Sequence, residues 1–398
     1  MKNINSNKIK RIGIDARFYG PFAKGLGRYT QEIVDNIIKI DKDNKYIVFL
    51  GKNNFDELVL GDEDDNVSKV LVDIKWYTLK EQLLFPFYIW RENLDLIHFT
   101  HFNVPILCPV KFVVTVHDLI LTKFKTVKAS TRHPVVYNLK DFFYRLVIKM
   151  ALKRSRKIIT VSNFTKNDII EQFKVRAEKI EVIYEGISNL SKGRDSLFVA
   201  KLNNDEVLSD YQIYSPFLLY VGNAYPHKNL EFLIKSFLIF NENNKNLKLV
   251  LVGKEDYFYK KLKDYFNLLI SKNSQLDVDS VVFTGYVPDD KLEILYKKAL
   301  VYVFPSLYEG FGLPPLEALF NFCPVLSSNA ASMPEILEDG ALYFKSGDEK
   351  DFLGKLKNII SDEGLRKKIV ENGKEVIKKY NWWECAFKTW QVFLDQLK

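Results

Sequence analysis

Apolar residues fall in short runs separated by stretches of helical spacing. IKRIGID (9–15) reads as a buried strand, and a glycine-rich turn, GPFAKGLG, follows it. RYTQEIVDNIIKI then places Ile33, Ile37 and Ile38 on one helical face. YIVFL (46–50), LIHF (96–99), FVVTV (112–116) and KIITV (157–161) read as further strands. The pattern pauses over a polar interval at 188–216. It resumes with FLLYV (217–221), LKLVLV (247–252), VVFTG (281–285), VYVFP (301–305), PVLSS (324–328) and ALYF (341–344), with helical patterns between them. Strands interleaved with helices predict parallel, doubly wound sheets, an α/β fold. The pause predicts two domains, one over 1–195 and one over 213–379, with a linker near 190–213. The tail, 380–398, reads as an amphipathic helix with Trp383, Phe387, Trp390 and Phe393 at helical intervals. Its charges are mixed, so it is expected to pack on the protein itself.

The bulk numbers narrow the picture a little. The chain has 398 residues, 47% of them hydrophobic, enough for two sizeable cores. A net charge of +8 suits phosphorylated substrates, an anionic membrane surface or nucleic acid. No nucleic-acid recognition signature is present, so nucleic acid is not an expected partner. Cys108, Cys323 and Cys385 are far apart and no C-x-x-C occurs, which predicts reduced core thiols rather than a disulfide frame or a zinc site. No stretch approaches the roughly 20 apolar residues of a membrane-spanning helix. The N-terminus lacks the apolar core of a signal peptide, so the expected location is cytoplasmic.

The chemistry concentrates in LYEGFGLPPLEAL (307–319). In an open parallel sheet, ligands bind beyond the carboxyl ends of strands. VYVFP ends there, and a helix is expected to start near Leu313–Pro314, since proline suits a first helical turn. Its free N–H groups would welcome an anion. Gly310 and Gly312 let backbone approach a ligand. Glu309 on the loop and Glu317 one turn into the helix would accept hydrogen bonds from paired hydroxyls. Phosphate and polyol together describe a nucleoside diphosphate sugar. Acids that merely favour a helix start are the plainer reading of the same residues. The loop after FLLYV supplies Lys228 to neutralise a diphosphate, with Asn229 expected to cap the following helix. KGLGRYT (24–30) offers Gly25 and Gly27 for phosphate, an incomplete dinucleotide fingerprint, and Arg17 and Arg28 lie near by. VVTVHDLI (113–120) ends a buried strand in His117 and Asp118; His117 would donate to a sugar hydroxyl, or be a structural histidine oriented by the acid. His98 and His101 at another strand end read as structural or acceptor-side. No His, Cys and carboxylate cluster and no D-x-D of the kind that holds a divalent ion on sugar nucleotides is present, so no metal is expected.

The combination of GLGRYTQEI, TVHDL, TVSNFTKNDI, LYVGNAYPHKNL, FTGYVPDDKLEILYKKALVYVFPSLYEGFGLPPLEAL and MPEIL resembles the retaining glycosyltransferases of family four, with the GT-B fold, and most of all bacterial mannosyltransferase-like members. The resemblance covers nearly the whole chain and is strongest from 217 to 345. It implies two Rossmann-like domains facing a cleft, with the C-terminal helix crossing back to the first. It implies Glu309 on donor-sugar hydroxyls, the amides of Phe311, Gly312 and Leu313 beside sugar and phosphate, Glu317 on the ribose and Lys228 on the diphosphate. His117 would lie beside the transferred sugar, and Tyr286 and Val287 near the base. Apart from the resemblance, Arg17, His101 and Asp118 read as acceptor-side residues by their place at strand ends, Arg17 otherwise as a solvated charge. Many members carry arginine five residues before the lysine, where this chain has Asn223. Where mannosyltransferase-like members often read P-R-K-N, this chain reads Pro226-His227-Lys228-Asn229, so diphosphate binding rests on Lys228, or on His227 when protonated.

These readings predict transfer of a hexose from a nucleotide donor, GDP-mannose favoured, to a hydroxyl of a glycan or lipid-linked acceptor, without a cofactor. Residues 121–157 hold eleven Lys and Arg against the single acid Asp141, with Phe142, Phe143 and Tyr144 among them, a composition suited to an anionic membrane surface or a solvated basic face. A non-catalytic sugar-nucleotide-binding subunit and a GT-B-fold sugar-nucleotide epimerase are the alternatives.

Overall fold

The computed structural model describes residues 8–124, 134–187, 204–214, 216–242, 244–273 and 275–398. The chain divides into two units, Met1–Gly186 with Asn381–Lys398, and Ile187–Tyr380. Much of the expected linker, 188–203, lies outside the described residues, as does 125–133 of the basic segment. A short helix, Asn204–Asp210, occupies part of the remainder of the polar interval.

The first unit is built on a seven-stranded parallel sheet. Its strands are β1 (Arg11–Asp15), β2 (Lys45–Leu50), β3 (Val67–Leu71), β4 (Leu96–Phe99), β5 (Phe112–Val116), β6 (Lys157–Thr160) and β7 (Ile180–Val182), in the order β3-β2-β1-β4-β5-β6-β7. The central strands are buried on both faces, which is why they read as near-continuous apolar runs, interrupted by His98 and Thr115. The sheet's period of two divides their side chains. Ile97, Phe99, Val114 and Val116 point into a cluster with Phe85 and Ile89 of the helix Leu79–Arg91, and Ile148 and Leu152 of the helix Pro134–Arg154. His98 and Thr115 point the other way. There His98 meets the ring of Phe393 and Thr115 meets the hydroxyl of Tyr29, on the helices Trp382–Leu397 and Lys24–Ile40.

The C-terminal helix belongs to this first unit. Its buried stripe is Trp382, Cys385, Ala386, Thr389, Val392 and Phe393, while Trp383 and Phe387 are exposed. The expected stripe was therefore rotated. Trp390 sits at the margin and donates its indole N–H to Asp41 at 2.8 Å. All three cysteines are free and buried.

The second unit has six parallel strands, β8 (Phe217–Val221), β9 (Lys248–Val252), β10 (Val281–Gly285), β11 (Val301–Phe304), β12 (Val325–Ser328) and β13 (Ala341–Phe344), in the order β10-β9-β8-β11-β12-β13. In each sheet the first strand lies beside the fourth, and the chain winds outward in both directions from that pair. Loops leaving the two strands diverge and leave a crevice at their carboxyl ends. That switch point lies between β1 and β4 in the first unit and between β8 and β11 in the second. Among the described residues, no helix is long and apolar enough to cross a membrane.

Candidate functional site

At the second unit's switch point, the loops after β8 and β11 are tied to each other. The Leu307 N–H donates to the His227 carbonyl at 2.7 Å. Lys228 Nζ donates to Glu309 Oε1 at 2.6 Å, with both side chains about nine-tenths buried. The ammonium also lies 5.4 Å from the centre of the Phe304 ring. A buried charge is costly without a partner, so this pair holds only because each neutralises the other.

Local structure explains why the two groups are presented there. Tyr220 donates to the Asn223 carbonyl at 2.8 Å and Tyr259 to the Gly222 carbonyl at 2.9 Å, fixing the start of the β8 loop. Pro226–Lys228 forms a 3-10 turn, and Asn229 takes a left-handed conformation (φ 59°) before the helix Leu230–Asn241. The Asn229 side chain makes no capping hydrogen bond, contrary to expectation. Asparagine serves here because it tolerates the left-handed region better than most residues.

Across the crevice, Ser328 donates to the Ser306 carbonyl at 2.5 Å and Ser332 to the Glu309 carbonyl at 3.0 Å. Gly312 adopts φ 96° directly before the helix Leu313–Phe320, and a Cβ there would come within 2.5 Å of Met333 Cε. The helix begins at Leu313, as the prolines predict. Gly310 and Phe311 are buried beside it, and the Phe311 ring stands edge-on to Tyr380. Glu317, one turn in, is buried, and Tyr296 donates to its Oε2 at 3.1 Å.

His227 is buried, and desolvation together with the adjacent Lys228 charge pulls it down to about 4 despite Glu309. It is therefore neutral at physiological pH, which corrects the expectation of a protonated contribution. Tyr286 is largely exposed after the edge strand β10, and Val287 is buried.

In the first unit, both ring nitrogens of His117 have protein partners. Nδ1 lies 2.8 Å from Glu185 Oε1 and Nε2 lies 3.0 Å from the Thr100 carbonyl. Burial opposes a charged ring, but the carboxylate and the carbonyl outweigh it and hold the pKa above its ordinary value. The sequence left two readings, a donor to a sugar hydroxyl or a structural histidine oriented by Asp118; here both ring nitrogens are engaged by the fold, with Glu185 rather than Asp118 on Nδ1.

Arg17 is 1% exposed. It grips Asp15 with Nε and Nη2, both at 2.8 Å, and Glu81 with Nη2 at 2.7 Å. Glu81 also accepts from Asn103 Nδ2 at 2.6 Å and the Tyr77 N–H at 2.8 Å. Arg17 is thus a buried clamp between the end of β1 and the helix Leu79–Arg91 that follows β3, not the anion or acceptor contact expected. His101 lies against the Phe102 and Phe18 rings, and burial with the nearby His117 pulls it down to about 3. Asp118 accepts the Ile120 N–H at 2.9 Å. Gly25 and Gly27 lie inside the first turn of the Lys24–Ile40 helix rather than in a loop. A Cβ on Gly27 would come within 1.9 Å of the Gly20 carbonyl, so that glycine serves close backbone packing.

Sequence reasoning missed Tyr296, Tyr220, Tyr259 and Ser332, which hold the site's loops and carboxylates. Tyr296 had a signal. It continues the buried stripe of Leu292 and Leu295, where a phenol needs a hydrogen-bond partner.

Two family profiles match the chain. Residues 211–376 match the family described as "Glycosyl transferases group 1", and residues 25–189 match "Glycosyltransferase Family 4". The O-antigen chain mannosyltransferase RfbU of Salmonella typhimurium is 30% identical over 299 residues, covering 74% of this chain and 73% of that protein. The chain is a family-four glycosyltransferase. The O-antigen chain mannosyltransferase B of Escherichia coli is 26% identical to this glycosyltransferase, covering 92% of this chain and 94% of that one. The Anabaena protein HepE, solved in complex with UDP-glucose, superimposes with a TM-score of 0.68 at 16% identity, over 97% of this chain and 100% of that one. That likeness concerns the fold. The two parallel Rossmann-like sheets of this glycosyltransferase are those of GT-B proteins.

Proposed function

We propose that this glycosyltransferase moves a hexose, mannose favoured, from a nucleoside diphosphate sugar, GDP-mannose favoured, to a hydroxyl of a glycan or lipid-linked acceptor. The anomeric configuration is retained, and the setting is synthesis of a cell-surface polysaccharide on the cytoplasmic side, at the membrane periphery. The observation that carries the reading is the Lys228–Glu309 pair at the second switch point, 2.6 Å apart and nearly buried. The names of the O-antigen mannosyltransferases RfbU and mannosyltransferase B support the sugar and the setting. HepE in complex with UDP-glucose supports a nucleotide sugar as donor.

On this reading the donor takes the place each charge now fills for the other. Lys228 turns to the diphosphate and stabilises the charge that grows as the anomeric C–O bond breaks. The N–H groups of Gly312 and Leu313 at the start of the Leu313–Phe320 helix add to it, Pro314 and Pro315 having none to offer, so these groups and Lys228 carry the leaving-group charge. Glu309 receives hydroxyls of the sugar, and Glu317, held by Tyr296, receives those of the ribose. The acceptor oxygen bonds the anomeric carbon on the face the phosphate leaves, and the departing phosphate oxygen takes the acceptor's proton. No enzyme nucleophile is needed.

A panel of nucleoside diphosphate sugars, scored for binding and for slow hydrolysis by the purified protein, tests this reading. GDP-mannose should bind and release GDP. Binding with no turnover under any acceptor would favour a binding subunit, and turnover of the donor to an isomer without acceptor would favour an epimerase.

A further inference from the structure

The helix Leu79–Arg91 carries an apolar stripe on its outer face. Leu79, Leu83, Phe87 and Trp90 recur at helical spacing and are 74%, 72%, 53% and 62% exposed. Leu84 beside them is also exposed. The opposite stripe, Glu81, Phe85 and Ile89, is buried, so the helix already has its interior face filled. Leu107, 72% exposed, extends the patch, because the neighbouring Ile106 N–H donates to Gln82 Oε1 at 2.9 Å. A contiguous apolar surface of this kind marks an interaction site.

The exposed charges on the helix itself have one sign. The helix exposes Lys80 and Arg91, and the Arg91 guanidinium lies 6.0 Å from the centre of the Phe87 ring. Its only acid, Glu81, is buried against Arg17. Glu92, just past the end, is engaged by Arg11. Arg154, at the end of the helix Pro134–Arg154, donates to the carbonyls of Ile106 and Cys108, which sets a cation beside Leu107, with exposed Lys153 next to it.

We infer that this face docks on an anionic lipid bilayer, with Leu83, Phe87 and Trp90 entering the headgroup boundary and Lys80, Arg91 and Arg154 meeting lipid phosphates. Leucine, phenylalanine and tryptophan flanked by cations are the composition of helices that lie in a membrane interface. A second copy fits worse, since a twofold contact through this helix would set cation against cation. The inference deepens the membrane-peripheral part of the proposed function and moves its centre from residues 121–157 to this helix. It does not rest on the transfer chemistry, since vesicle binding is read without donor or acceptor.

The test is co-sedimentation of the full chain with phosphatidylcholine vesicles, with and without phosphatidylglycerol. The wild type should bind only the anionic vesicles. The Leu83→Gln/Phe87→Gln/Trp90→Gln variant, and separately Lys80→Glu/Arg91→Glu, should lose about tenfold or more of that binding with unchanged melting temperatures. Brominated lipid should quench wild-type tryptophan emission more than that of Trp90→Phe. Wild-type indifference to anionic vesicles, equal binding by the triple variant, or self-association in vesicle-free buffer that the triple variant abolishes would each overturn the proposal. Vesicle binding with no turnover of any nucleotide sugar would leave it standing while the transferase reading fell.

Discussion

Lys228 and Glu309 stand 81 residues apart in the chain and 2.6 Å apart in space. They meet because β8 and β11 are neighbours, which brings the loops leaving them to opposite sides of one crevice. Each charge is the other's partner, so removing one affects the fold as well as the chemistry. Lys228→Ala and Glu309→Ala should each abolish most transfer and lower stability by about 3 kcal/mol, because the surviving charge stays buried and unpaired. The double variant Lys228→Met/Glu309→Leu should recover most of the stability and none of the activity. Thermal melts beside a donor-turnover assay check this; wild-type rates in the single variants would remove both residues from the mechanism.

Tyr296 is expected to act through Glu317. Tyr296→Phe deletes the donor 3.1 Å from Glu317 Oε2 and leaves the carboxylate free to turn. Glu317→Ala should raise the donor KM strongly, and Tyr296→Phe should raise it by a few-fold, with kcat little changed in both. Steady-state kinetics against donor concentration measures the split. An unchanged KM in Glu317→Ala would deny it the ribose.

Much of this was legible in the chain. The buried central strands announced themselves because parallel strands covered on both faces are apolar throughout. The edge strands β3 and β7 did not. Val67–Leu71 buries only Val67, and Ile180–Val182 is only three residues long. Missing β7 also hid Glu185, which follows it and reaches His117 from 68 residues away. The start of the site helix was readable from Pro314 and Pro315. The contact between Lys228 and Glu309 was not, because spacing places both at strand ends without saying which strands are adjacent. Arg17 misled for a related reason: a charge near a glycine-rich loop looks exposed until its acids, Asp15 and the distant Glu81, are brought to it.

Gly312 tests the backbone of the site. A side chain there meets both an unfavourable φ and Met333. Gly312→Ala should cost about 2 kcal/mol or more and weaken donor binding. Adding Met333→Ala should recover only part of the loss, since it clears the clash and leaves the backbone strain. Full recovery would show that space alone selects the glycine.

The histidines predict the acid response. His98 and His101 are pulled to about 3 and His227 to about 4, chiefly by burial. In the unfolded chain these rings take up protons near pH 6.5. Their contribution to stability is therefore full above about pH 6.5 and is lost as pH falls from there, to about 4 for His227 and about 3 for His98 and His101. His117 runs the other way, because its raised pKa gives stability that is full below about 6.5 and fades as pH rises through the folded value. Ring-nitrogen NMR should find His98, His101 and His227 neutral at pH 5.5 and His117 still charged above 6.5. Titration of His98 or His227 near 6.5 would contradict their burial.

The central claim is that an activated sugar replaces the Lys228–Glu309 contact, phosphate to one side and hydroxyls to the other. A crystal structure of the protein with GDP-mannose, or with whichever nucleotide sugar the panel selects, tests it most directly. The account predicts the diphosphate within hydrogen-bond distance of Lys228 Nζ, sugar hydroxyls on Glu309, and the 2.6 Å contact between the two side chains opened. A donor bound elsewhere, with that ion pair intact, would contradict it.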